Sequence, residues 1–192
     1  VDAIIVPIGW GARGTEGKIQ AIKYARENKI PYLGLCYGLQ LAAIEYARNV
    51  VGLEGASSTE IDPDSKYPIV HDIPFDPKYQ RIKGSGVSMR LGGYDCHLKE
   101  GSLAHQIYGT TIISERHRHR YEVNNDYRKQ LEDAGLVISG TSPDDFFVEM
   151  IELPKEIHPF FLATQAHPEY KSRPLAPHPV FTSFLNAAIA GK

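Results

Sequence analysis

At 192 residues, 42% hydrophobic and 23% charged, the chain has the makeup of one globular domain with a sizeable core, not of a disordered or fibrous protein. Its 21 basic and 23 acidic residues leave a formal net charge of -2, which points away from nucleic acid and from an anionic membrane as partners. No apolar run approaches the roughly 20 residues of a spanning helix, and the apolar start carries Asp2 and lacks a basic leader, unlike a signal peptide.

In chain order, the β-branched run AIIVPI (Ala3 to Ile8) predicts a buried strand. It feeds the glycine-rich loop Gly9 to Gly14, then a helix with Thr15 as N-cap running to about Lys29. A second strand is predicted at Pro31 to Cys36 and a helix from Gly38 to about Val51. From Ser57 to about Gly93 the chain is polar and rich in Pro, Asp and Gly, which predicts long loops with one strand at Tyr67 to Val70. Further strands are expected at Ser88 to Leu98, in a hairpin of Val137–Ser142 with Val148–Leu153, and at Phe160 to Gln165. Helices are expected at Tyr127 to Ala134 and Val180 to Ala190. This alternation predicts an α/β fold, a doubly wound and mostly parallel sheet flanked by helices. The expected organisation is one domain over residues 1–192 that lacks its first strands, because the opening strand already leads into a functional-looking loop.

Three segments carry chemistry. Cys36 sits in Gly34-Leu-Cys-Tyr-Gly38 between a strand and a helix, the spacing of a nucleophile elbow. The small flanking residues permit a sharp turn. The helix N-terminus is expected to lower the thiol pKa, and the Tyr37 amide to face a developing oxyanion. On its own the motif also fits a buried structural cysteine. The segment ATQAHPEY supplies His167 as base and Glu169 as its orienting acid, brought to one side in an extended stretch. Alone, this is also a surface histidine near an acid. The loop PIGWG (Pro7 to Gly11) offers Gly9 as a second oxyanion donor, or is an ordinary turn. With only two cysteines, a disulfide framework is not expected and a reducing cytoplasm is.

Taken in this order, the three segments resemble a class I glutamine amidotransferase of the Cys-His-Glu type. The phrases RGTEGKIQAI, EYARNVVGLEGASSTEIDP, MRLGGY, ERHRHRYEVN and HPEYKSRPLAPHPVF resemble the glutaminase half of the CTP synthases, with similarity from Val1 to about Ala188. The resemblance implies Cys36 as nucleophile forming a γ-glutamyl thioester, His167 and Glu169 as its catalytic partners, and Gly9 in the oxyanion loop. It implies glutamine contacts from Tyr37, Gly38, Leu39 and Gln40, with Glu60 and Arg120 holding the α-amino and α-carboxylate groups. An arginine fork suits a carboxylate. His117 and His119 of RHRHR make poor metal ligands without neighbouring acids or thiols, so no metal is expected. No cofactor is implied for this domain. ATP, Mg and a GTP effector belong by resemblance to a full enzyme that aminates UTP to CTP, forms homo-oligomers and carries a synthetase domain in cis. No G-x-x-x-x-G-K-[ST] phosphate loop occurs here, so that domain is not in this stretch.

Against the family pattern, Ile8 replaces a loop glycine, Trp10 a phenylalanine, Tyr37 a leucine and Ala166 an aromatic. Positions 10, 37 and 166 suggest one repacked pocket. A first loop glycine that needs positive φ would make Ile8 strained. The alternatives are a stand-alone amidotransferase or γ-glutamyl hydrolase, or a non-catalytic remnant acting as an interaction module.

Overall fold

The computed structural model describes residues 1–74 and 88–191. Its elements are β1 (Ile4–Val6), α1 (Thr15–Glu27), β2 (Tyr32–Leu35), α2 (Tyr37–Tyr46), β3 (Ser57–Ser58), β4 (Pro68–Asp72) and β5 (Arg90–Leu98). They continue with α3 (Leu103–Tyr108), β6 (Ile112–His119), β7 (Tyr121–Val123), α4 (Asn125–Asp133), β8 (Val137–Thr141), β9 (Val148–Glu152), β10 (Phe161–Thr164) and α5 (Pro179–Ala190). Among the described residues no helix is long and apolar enough to cross a membrane.

The main sheet has the order β1-β2-β10-β9-β8-β5-β6, and β3-β4-β7 form a small second sheet. The fold is α/β as expected, but the sheet is mixed, not mostly parallel. β1 and β10 both pair parallel to β2, whereas β10-β9, β9-β8, β8-β5 and β5-β6 are antiparallel ladders. The predicted Val137–Ser142 and Val148–Leu153 hairpin forms as β8 and β9.

Alternation along β2 and β10 covers the sheet on both faces. Tyr32, Phe161 and Ala163 join the apolar layer under α1 and α2. Leu33, Leu35 and Leu162 face the other way, onto α3 and α5 with Ala104, Val180 and Phe184. A strand buried on both sides reads as a continuous apolar run, which is why YLGL is legible. Inside the first layer Arg26 grips the buried Glu45 at 2.8–3.1 Å through two nitrogens, a bidentate pair joining α1 to α2.

Several boundaries differ from expectation. Gly14, in the left-handed region, precedes α1 as its cap. The Thr15 hydroxyl bonds Gly11 O and Tyr37 Oη instead. The helix expected to Val51 is α-helical to Tyr46 and then a π-helical turn over Ala47–Val51, closed by Gly52 at φ 86. The expected loops between Ser57 and Gly93 contain β3, β4 and the start of β5, and their part at 75–87 lies outside the described residues.

Three unpredicted elements have tertiary causes. α3 has only six residues, but the buried Glu152 carboxylate of β9 accepts from the Leu103 and Ala104 amides at 2.7 and 3.0 Å. Ser102 Oγ caps the next amide. Such a cap comes from 49 residues away and leaves no local signature. β6 alternates strictly in burial, yet its buried set is Ile113, Glu115, His117 and His119 against Ile112, Ser114, Arg116 and Arg118 outside, so both faces are polar. β7 is three residues long and pairs with β4.

Candidate active site

Cys36 occupies the turn from β2 into α2 with φ 51 and ψ −96, a conformation that costs of order 1–3 kcal/mol outside glycine. Sterics hold it there. A Cβ on Gly38 would lie 2.2 Å from the Val6 carbonyl oxygen, and one on Gly34 would lie 2.8 Å from Ala163 Cβ and Gly38 C. Both glycines of the motif are therefore required for helix, strand and turn to meet. The Cys36 amide donates to Thr164 O at 2.7 Å, locking the elbow to β10.

The chain leaving β10 brings in the second group. The His167 amide donates to Arg116 O at 2.8 Å, fixing it against β6. His167 Nδ1 lies 2.6 Å from Glu169 Oε1. A carboxylate only accepts, so Nδ1 carries the proton and Nε2 is left as a basic lone pair. Glu169 reaches the ring through a 3-10 turn over Pro168–Tyr170, not the expected extended stretch. That turn also stacks Tyr170 on the imidazole, with centroids 5.0 Å apart and planes at 9°. Among the described residues His167 Nε2 has no hydrogen-bond partner.

Cys36, His167, Gly9, Gln40, Glu60 and Arg120 line one cavity of about 400 Å³, within the usual range for a small-molecule site. Glu60 is pushed up by burial, while the Gly11 amide and Arg120 hold it down. The expected lowering of the Cys36 pKa is not found. Burial pushes the thiol up to about 12, ahead of the Tyr37 amide and the Gln165 side chain, which favour the thiolate; Glu169 and Glu60 add to the rise. Desolvation outweighs the helix terminus.

Three expected glutamine contacts do not line the cavity with side chains. The Tyr37 side chain is buried beneath the loop, its hydroxyl 2.5 Å from Gly11 O and 2.9 Å from Thr15 Oγ1. Gly38 abuts Val6, and Leu39 is in the core under α1 and α2. The single repacked pocket is not found either. Trp10 lines the cavity at 79% exposure, whereas Tyr37 supports the loop from below and Ala166 is buried. Ile8 does not take a positive φ, and neither does Gly9. What crowds a side chain at position 9 is the Tyr37 ring, 3.1 Å from where a Cβ would sit.

Sequence reasoning missed a buried polar cluster behind the cavity. Arg90 is 1% exposed and sandwiched 4.4 Å from the rings of Tyr94 and Phe147. It pairs with Glu149 at 2.5 Å. Glu149 Oε2 lies 3.5 Å from His117 Nε2, His117 Nδ1 lies 3.2 Å from His119 Nε2, and His119 Nδ1 lies 2.9 Å from Tyr121 O. The carbonyl fixes the tautomers: His119 donates from Nδ1, and His117 donates to His119. Burial, then Arg90, push His119 down to about 3, and burial pushes Glu149 up to about 7. The available signal was the alternation of RHRHR, which sets His117 and His119 inward and its arginines outward.

The sequence profile of the family "Glutamine amidotransferase class-I" matches residues 1–187. The chain is 57% identical over 190 residues to a CTP synthase of Nocardioides sp. and 56% identical over 189 residues to one of Staphylococcus aureus. Each alignment takes in 98% of this chain but 33% and 34% of those relatives, so the chain spans about a third of their length. The glutaminase domain of Trypanosoma brucei CTP synthase, solved with bound acivicin, superposes with a TM-score of 0.90 at 42% identity, covering 98% of this chain and 71% of that one. A GMP synthase protein from Thermoplasma acidophilum shares the fold, with a TM-score of 0.62 at 18% identity over 99% of this chain and 74% of that one. The chain belongs to the class I glutamine amidotransferases, and within them to the glutaminase domains of the CTP synthase type.

Proposed function

We propose that this chain hydrolyses L-glutamine to glutamate and ammonia through a Cys36 thioester. The carrying observation is the strained Cys36 turn opening on the same cavity as the His167–Glu169 pair and as Glu60 and Arg120. Glu60 and Arg120 offer charges of opposite sign to the α-amino and α-carboxylate groups of glutamine. Cys36 Sγ attacks the amide carbon while its proton passes to His167 Nε2. The Gly9 and Tyr37 amides receive the oxyanion. His167 returns the proton to the departing nitrogen, ammonia leaves, and a γ-glutamyl thioester remains. Water, deprotonated by His167, attacks that thioester. The S–C bond breaks, glutamate departs and the thiol is restored. Because burial raises the Cys36 thiol, its proton transfer to His167 is placed in the substrate complex.

We further read the chain as one glutaminase domain whose ammonia serves a synthetase domain aminating UTP to CTP, with ATP, Mg and a GTP effector acting in that longer, homo-oligomeric enzyme. We read its working compartment as the cytoplasm, in keeping with two unpaired cysteines. The rival reading as a non-catalytic interaction module rested on strain at Ile8, and its ordinary φ removes that support.

A diazo-ketone analogue of glutamine tests the proposal. It should label Cys36 at least about 100-fold faster than Cys96, which is also buried but lies in β5 away from the cavity. Glutamate release should be lost in proportion. Equal, slow labelling of both thiols, or complete Cys36 labelling without loss of activity, would sink the assignment.

A further inference from the structure

The nucleophile accepts a hydrogen bond from a glutamine side chain. Gln165, 1% exposed at the end of β10, directs Nε2 to Cys36 Sγ at 3.4 Å. Its orientation is not free. Gln40 Nε2 lies 2.9 Å from Tyr121 O and 3.2 Å from Gln165 Oε1. The Tyr121 carbonyl can only accept, so Gln40 must present its amide nitrogen there. The second hydrogen of that nitrogen meets Gln165 Oε1, which turns the Gln165 Nε2 towards the sulfur. The same carbonyl receives His119 Nδ1–H, so one backbone oxygen aligns both arms behind the cavity.

We infer that Gln165 is a positioning residue for the nucleophile, a donor locked onto Cys36 Sγ by Gln40 and the Tyr121 carbonyl. This rests on the reading of Cys36 as nucleophile. A neutral donor stabilises a thiolate more than a thiol. Gln165 therefore offsets part of the repulsion from Glu169 and Glu60, the carboxylates that act on the sulfur, alongside the Tyr37 amide. His167, lining the same cavity, has no partner at Nε2 among the described residues and is open there to take up the proton. As the thioester forms, the sulfur loses its charge and the Gln165 bond loses most of its strength, so the contact favours the thiolate over the acylated state.

The test uses iodoacetamide, which lacks α-groups and so does not report on glutamine binding, with peptide mass spectrometry resolving Cys36 from Cys96. At pH 8, Gln165→Met should slow Cys36 alkylation about tenfold, the equivalent of one pKa unit. Gln165→Glu, which still accepts from Gln40 but turns a carboxylate on the sulfur, should slow it about a hundredfold. Cys96 should react at the parent rate in both. A Cys36 rate within twofold of the parent in either folded variant overturns the inference. So does faster labelling of both thiols, the mark of a merely structural role. If neither variant folds, the parent decides: alkylating Cys36 must shift the Gln165 side-chain amide resonances, and unmoved resonances overturn the inference. Failure of the nucleophile reading looks different, because complete alkylation would then leave glutamate release intact.

Discussion

Two regions meet at the cavity, and they are built by opposite means. Around Cys36, in the parallel part of the sheet, the backbone is held by missing atoms: Gly34 and Gly38 let β2, β10, α2 and the Val6 carbonyl close on one strained residue. Behind His119 the site is held by buried ionisable groups: Arg90, Glu149, His117, His119 and Glu122 are each 5% exposed or less. The first region tolerates no added volume. The second tolerates volume change better than the loss of one member, because removing one partner strands another without solvent.

The largest expected effect tests the charged region. Glu149→Ala leaves Arg90 buried between Tyr94 and Phe147 with its counter-charge gone. It should cost about 3–5 kcal/mol in denaturant unfolding. Replacing both partners, Arg90→Met with Glu149→Met, should recover most of that loss. A single variant costing under about 1 kcal/mol would show that charge does not hold this region.

Next comes the tight region. Gly9→Ala sets a Cβ 3.1 Å from the Tyr37 ring, and Tyr37 is pinned by Gly11 and Thr15, so the loop rather than the ring must move. If Gly9 supplies an oxyanion amide, glutamate release should fall roughly 10²-fold or more, about 2.7 kcal/mol. Ile8→Gly is the control. Ile8 already has an ordinary φ and is 40% exposed, so it should change the rate by no more than about twofold. A large gain from Ile8→Gly would make that residue the lesion in the loop.

The same contrast explains what the sequence made legible. Gly34, Cys36 and Gly38 are a local code, since one short motif prescribes the turn, and YLGL and FLAT are apolar because both faces are covered. The pairing of His167 with Glu169 was readable once the motif was set beside the Cys36 elbow, although the 3-10 turn that makes it was not. The charged region left little trace. β6 buries Glu115, His117 and His119 and turns Ser114, Arg116 and Arg118 outward, so its alternation carries no contrast in polarity. Arg90 and Glu149 meet from β5 and β9, far apart in the chain. Gln165 looked like the end of a strand until Gln40 and Tyr121 were beside it.

The smallest effect isolates one proton in the charged region. Burial pushes Glu122 from its ordinary 4.5 up to about 9, against Arg90 and with Glu149 adding to the rise. The folded protein keeps this proton where the unfolded chain has released it. Stability from Glu122 is therefore fully present below about pH 4.5 and is lost as pH rises towards 9. Glu149 acts with the same sign but is spent by about pH 7. His119, pushed down to about 3, acts with the opposite sign only below its ordinary 6.5. The thiols, ordinarily near 9.0 and raised by burial, add a fall of their own only as the unfolded chain ionises them. Between pH 7 and 8 the slope of unfolding free energy should thus be dominated by Glu122, at most about 1.4 kcal/mol per pH unit for one proton. Glu122→Gln should flatten that slope while leaving the fall above pH 8.5 in place. Denaturant melts at pH 7.0, 7.5 and 8.0 check it, and an unchanged slope would mean that Glu122 is already ionised in the folded protein.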